Sequence, residues 1–159
     1  MTTEARTLKQ VTIQAQPLTA EAFAPYGRVV EADRQELNMT EGHFTARLMT
    51  VHRAPETVGR INRHMDHSQM FVPLSGDPTV LVVAPPDVPM DGFDATKIAA
   101  FKTNGRQTII FHTGTWHIEP RALGQDSCQV INVQTNVFRN HTELLHLEDD
   151  CGVRVHLKV

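Results

Sequence analysis

With 159 residues, 40% of them hydrophobic and 21% charged, the chain can bury the core of one domain, and its composition excludes wholesale disorder. A net charge of −3 excludes the clustered excess of Lys and Arg that a nucleic-acid surface needs, which leaves a small molecule or a protein as partner. Two cysteines, Cys128 and Cys151, are too few for a disulfide scaffold. No run approaches the roughly 18 apolar residues of a membrane span, and the polar start MTTEARTLKQ lacks the apolar stretch of a secretory signal, so a soluble cytoplasmic protein without membrane contact is expected.

In chain order, VTIQAQPLT (11–19) reads as a strand leading to a helix start, with Thr19 as N-cap of AEAFAPYG and Pro25 and Gly27 as its stop. GRVVEA (27–32) is a second strand, and the polar stretch from Asp33 to Gly42 has the composition of a mobile loop. The runs 43–54, 69–76, 78–86, 107–114, 127–136 and 151–159 are β-branched or apolar and are separated by Gly, Pro, Asn or Asp, which predicts strands. TVLVVAPP within them suggests a strand buried on both faces. DATKIAAFKTNG (94–105) alone of the later segments reads as helical, weakly, with Gly105 as its stop. Many short strands with little helix predict a mainly β antiparallel barrel or sandwich, in a single domain over residues 1–159.

INRHMDHSQMFVPLSG (61–76) crowds side-chain chemistry onto the entrance of an apolar strand. Asn62, one residue, His64, four residues, Gln69, six residues, Gly76 resembles the first motif of the cupin barrels, with Asn and Gln in place of the first His and the Glu. Gly114 and His117 in HTGTWH match the G-x-x-H that ends the second motif. Alternate residues of a strand share a face, so such spacing can bring both histidines to one mouth of a cupin-like barrel. A divalent metal held there by His64, His117 and Gln69 would have two neutral nitrogen donors and a neutral oxygen, a weak set. His67, three positions from His64, is expected on the opposite side of an extended strand.

Three blocks, LTAEAFAPYGRVVE, RHMDHSQMFVPLSG and AFKTNGRQTIIFHTGTWHIEP, in this order across residues 18–120, resemble the ureidoglycolate lyase family, cupin-fold enzymes of purine and allantoin breakdown. The resemblance implies cleavage of ureidoglycolate to glyoxylate and urea by a cytoplasmic homodimer, with nickel as a metal attributed to the family. The positions that match are Arg63, His64, Gln69, Asn104, Gly105, His112, Trp116 and His117. The chain departs from the family pattern at VINVQTNVFRNH (130–141), where Asp-Arg-Gly-Gly is usual.

That reaction needs a base for the hydroxyl proton, an acid for the leaving nitrogen and a cation for the carboxylate. His117 is the expected base and His64 its partner, acting directly or through a metal, with exchangeable roles, and the rate should fall below about pH 6 to 7. Arg63 is a candidate carboxylate clamp that strand alternation places on the wrong face, and Arg47 and Arg121 are alternatives. Gln69 orients substrate or metal, Trp116 is a pocket wall or core, and His112 faces the site or steadies another imidazole. A non-catalytic cupin that binds a small carboxylate, or a relative with a different C–N or C–O cleavage, are the competing readings.

Overall fold

A computed structural model describes residues 6–53 and 56–159. Ala54, where the strand expected over 43–54 ends, and residues 1–5 of the polar start lie outside the described residues. The strands are β1 (Lys9–Pro17), β2 (Gly27–Val29), β3 (Phe44–His52), β4 (Thr57–Val58), β5 (Arg60–His64), β6 (Gln69–Pro73), β7 (Thr79–Ala84), β8 (Ala99–Lys102), β9 (Ile109–Phe111), β10 (Trp116–His117), β11 (Arg121–Ala122), β12 (Ser127–Thr135), β13 (Thr142–His146) and β14 (Val153–Lys158). They form a nine-stranded sheet in the order β13-β5-β10-β7-β8-β1-β14-β4, with β11 on β7, and a five-stranded sheet in the order β2-β9-β6-β12-β3. The mainly β, cupin-like expectation therefore holds. Pairing is antiparallel except that β1 runs parallel to both β14 and β8.

Strand alternation sorts the core into two layers. On β7, buried throughout, Val80, Val82 and Ala84 join Ile61 and Trp116 inside the curl of the larger sheet. Leu81 and Val83 of the same strand join Phe71, Phe111 and Val130 between the two sheets. Which layer a residue enters is thus set by its parity along the strand, and that parity decides which side chains can reach the histidines.

The two helices are single turns, α1 (Ala20–Phe23) and α2 (Leu147–Cys151). Thr19 caps α1 as expected, its hydroxyl accepting from the Ala22 amide at 3.1 Å. The helix expected over 94–105 is instead a 3₁₀ turn, Ala95–Lys97, followed by β8. Buried Ala100 and Phe101 are worth more packed between β7 and β1 than in a weak isolated helix. Gly105 ends no helix. It turns with φ +82° where any Cβ would strike the Gly76 carbonyl. The acidic run 148–150 forms most of α2, with Asp150 accepting from the His146 amide.

Segment 33–42 lacks strand or helix, as expected of a loop, yet it is tethered. The Ser68 amide donates to the Asn38 carbonyl at 2.8 Å and the Thr40 amide to the Asp66 carbonyl at 2.9 Å. An isolated bridge joins Met39 to His67.

Candidate active site

β5 and β10 lie side by side with His117 opposite Asn62, so Asn62, His64 and His117 share one face. That face belongs to the inter-sheet layer, because the His117 ring stacks on Phe111 at 4.6 Å. The His64 and His117 rings are 5.2 Å apart, centroid to centroid. The convergence expected from the two motifs is therefore present. On the smaller sheet Gln69 sits opposite Phe111 and donates to the Asn132 side-chain oxygen at 2.9 Å, so Gln69 faces the same layer.

His67 belongs to this cluster, contrary to the alternation argument. β5 ends at His64, and the chain turns through Met65 and Asp66 before β6, so strand parity does not extend to residue 67. The turn lays the His67 ring on His64 at 4.8 Å and 20°. Asp66 supports it, with Oδ1 2.8 Å from His67 Nδ1, and the Thr135 hydroxyl lies 3.3 Å from the same nitrogen.

The hydrogen bonds assign the tautomers. His117 Nδ1 donates to the Thr115 carbonyl at 2.9 Å. Thr142 spends its hydroxyl proton on the Phe138 carbonyl, so His64 Nδ1, 2.8 Å from that hydroxyl oxygen, is the donor. His67 Nδ1 donates to the Asp66 carboxylate. All three rings therefore carry their proton on Nδ1 and a lone pair on Nε2. Burial drives His64 down to about 3, aided by charge on His117 and His67 and opposed by the Phe138 carbonyl and Gln69. Burial likewise drives His117 down to about 4, opposed by the Thr115 carbonyl and aided by charge on His67. Both are neutral at pH 7. Three buried polar atoms here lack any hydrogen-bond partner, Asp66 Oδ2, His67 Nε2 and Gln69 Oε1. Unpaired buried acceptors are costly unless a ligand, water or proton completes them.

The donors do not fit a resident divalent ion. Among the described residues no three His, Cys, Asp or Glu side chains are arranged to hold one. His64, His117 and Gln69 contribute no negative charge, and the neighbouring carboxylate, Asp66, is committed to His67. The set suggested by spacing is thus a buried cluster of neutral polar side chains.

Arg63 and Trp116 lie on the opposite face, as parity requires. The Arg63 Nε donates to Glu143 at 2.5 Å, its Nη1 donates to the Pro86 and Val88 carbonyls at 3.1 and 3.2 Å, and its guanidinium covers Trp116 at 4.4 Å. Arg63 is therefore no clamp beside His64, and Trp116 is core, its indole N–H bonded to Val88. His112, just past β9, bonds the Ala24 carbonyl through Nε2 at 2.9 Å, away from the imidazole cluster. Arg121 pairs with Glu119 at 3.2 Å.

Arg47 stands differently. On edge strand β3 it lies opposite Asn132 and shares its face, the one that carries Gln69. It is exposed and makes no ion pair among the described residues. The divergent stretch 130–141 supplies Asn132, Thr135 and Phe138, whose ring stands edge-on to His64 at 6.0 Å. Nothing in motif spacing marked Asp66, His67 or Asn132; the adjacency of Asp and His between two motif positions was the one available signal.

Comparison with known proteins bears on this geometry. A family model described as ureidoglycolate lyase matches residues 10–59 and 50–153. The chain is 39% identical over 128 residues to a protein named ureidoglycolate lyase from Pseudomonas fluorescens strain Pf0-1, a match covering 67% of this chain and 74% of that protein. It is 37% identical over 128 residues, with the same coverage, to one of that name from Pseudomonas putida strain W619. A third so named, from Pseudomonas syringae pv. syringae strain B728a, is 40% identical over 124 residues, 64% of this chain and 71% of its own.

Proposed function

The chain belongs to the ureidoglycolate lyase family, and we infer that it cleaves ureidoglycolate to glyoxylate and urea at the His64–His117 pair. The protein is an enzyme, a lyase acting on ureidoglycolate. Its substrate carries a carboxylate, a hydroxyl and a ureido nitrogen on one carbon. Loss of the hydroxyl proton lets the C–O bond become the aldehyde as the C–N bond breaks, and the departing nitrogen must gain a proton. One proton leaves oxygen and one arrives at nitrogen, so a neutral base that later acts as acid suffices.

One observation carries the site assignment: two buried imidazoles 5.2 Å apart, each with Nδ1 occupied and Nε2 open. In this reading the two Nε2 atoms accept hydrogen bonds from the hydroxyl and the ureido N–H, which polarises both and fixes the carbon between them; the rings can exchange these roles. Gln69, steadied by Asn132, offers its free Oε1 to the second N–H. Arg47, on the face shared with Asn132, supplies the cation for the carboxylate.

We place the protein in the cytoplasm, in purine and allantoin breakdown, as a homodimer. Free Cys128 and Cys151 fit a reducing compartment, and no helix among the described residues is long and apolar enough to cross a membrane. The nine-residue edge strand β3 with exposed Leu48 is a surface that a second copy can cover.

Purified protein mixed with ureidoglycolate should release glyoxylate, and His117→Ala and His64→Ala should each lose turnover with the fold intact. Wild-type turnover in His117→Ala removes that residue from the site. Carboxylate binding at micromolar concentration without any turnover favours the non-catalytic cupin.

A further inference from the structure

The larger sheet splits beside β5. β10 is two residues long and meets β5 at one pair, His117 opposite Asn62. Past it the chain runs through Ile118 and Glu119 to Pro120, which has no N–H to continue a ladder, and then forms β11 on β7. Among the described residues, β5 therefore has no strand beside Arg60 on the side away from β13. The gap is a pocket of about 450 Å³. β5 and β13 contribute Arg60, Asn62 and His146 to its lining, the stretch after β10 contributes Ile118, Glu119 and Arg121, and residues 57–59 complete it. His146 lies opposite Arg60, and Asn62 is two positions along β5, so these three share one face. His64 is next on that face, yet neither it nor His67, Gln69 or His117 lines the pocket. The pocket and the imidazole cluster meet at Asn62, which stands opposite His117.

Charge in the lining is unbalanced. Two guanidiniums, Arg60 and Arg121, accompany one carboxylate, Glu119, so the pocket keeps an excess of positive charge. Arg60 is exposed and makes no ion pair among the described residues. Arg121 has Nη1 3.2 Å from Glu119, and its Nε is buried with no acceptor. Arg63 on the other face shows what a structural arginine looks like here, with donors spent on Glu143, Pro86 and Val88. Arg121 is not committed in that way, and a half-buried guanidinium with donors to spare gains from an added acceptor.

We propose that this pocket is a second binding site, for a small carboxylate that also carries an N–H donor. Arg60 and Arg121 take the carboxylate from opposite sides of the gap, since guanidinium pairs with carboxylate through charge-assisted hydrogen bonds. The Asn62 side-chain oxygen and the Glu119 carboxylate are acceptors and take the N–H end. The volume is in the range of small-molecule sites. The proposal does not depend on the lyase reading, because none of the four residues belongs to the imidazole cluster.

The test is backbone amide NMR of the full chain titrated with oxamate, a small carboxylate that bears an amide N–H. The amides of Arg60, Asn62, Glu119, Arg121 and His146 should shift together and saturate at roughly millimolar oxamate. Arg60→Met and Arg121→Met should each weaken binding at these amides by about 10-fold or more, and Arg47→Ala should leave it unchanged. Arg60 is exposed, so Arg60→Met carries the prediction should Arg121→Met fail to fold. Acetate, which lacks the N–H, should bind more weakly than oxamate. Native affinity in the folded arginine variants overturns the proposal, as do oxamate shifts confined to the surroundings of Gln69, Asn132 and Arg47. Equal affinity for acetate removes the N–H end from the assignment. Inorganic phosphate that moves the same amides at equal or lower concentration replaces the carboxylate with a general oxyanion and overturns the ligand class.

Discussion

Replacing Arg63 by methionine separates a structural cation from a substrate clamp. The change keeps an unbranched stem against Trp116 and removes the guanidinium, with its bonds to Glu143, Pro86 and Val88 and its position 4.4 Å over the indole. Removing one member of a buried ion pair costs about 3–5 kcal/mol, and the 36% exposure of the Glu143 side chain places this case at the low end. The two carbonyls lose charge-assisted partners worth roughly 1.5–3 kcal/mol each, part of which water and the Trp116 N–H to Val88 recover. A net loss of about 3 kcal/mol lowers the melting midpoint by about 6–12 °C for a chain of this length. Trp116, the single tryptophan, reports the transition by its fluorescence in a thermal or urea scan. Below the midpoint KM for ureidoglycolate should match the wild type. A variant with native stability and a KM raised tenfold or more would refute this reasoning and return Arg63 to the substrate site.

Acid should unfold the protein through its histidines. The unfolded chain binds protons at His64 and His117 below about pH 6.5, while the folded rings wait until about 3 and 4, so stability falls as pH is lowered from 6.5 toward those values. The slope approaches about 1.4 kcal/mol per pH unit for each ring, and urea midpoints at pH 7, 6 and 5 should show it; equal midpoints across that range would contradict the burial argument. Chelation is a second test: exhaustive dialysis against EDTA should leave turnover unchanged and elemental analysis should find nickel substoichiometric, whereas loss of rate restored by nickel would overturn the donor-set argument. Arg47→Ala should raise KM by about 10- to 100-fold with kcat little changed, since one charge-assisted pair to a carboxylate is removed, and an unaltered KM would exclude Arg47 as the clamp. Gly105→Ala should destabilise by more than about 1 kcal/mol in a denaturant titration, because it places a methyl group at positive φ against the Gly76 carbonyl.

Local pattern was enough for the strand-rich architecture, the Thr19 cap, the two-sided burial of β7 and the meeting of His64 with His117. Each of these follows from strand alternation, capping chemistry or spacing within one or two motifs, which are properties of short stretches of chain. Parity also foretold that Arg63 points away from His64, because both belong to one regular strand. Spacing could not reach further. His67 was misplaced because strand periodicity was carried past the end of β5 into a turn, and the helix expected at 94–105 yielded to burial between two strands distant in sequence.

Only the tertiary structure paired β12 with both β6 and β3, which sets Asn132 against Gln69 and Arg47 on one face. Only it enclosed three imidazoles together, and that enclosure, through lost solvation and the charge of neighbouring rings, decides that His64 and His117 stay neutral. A residue's type travels with the sequence, but its dielectric surroundings and its partners come from distant chain segments, 80 positions away in the Arg63–Glu143 pair, and these exist only once the sheets have closed.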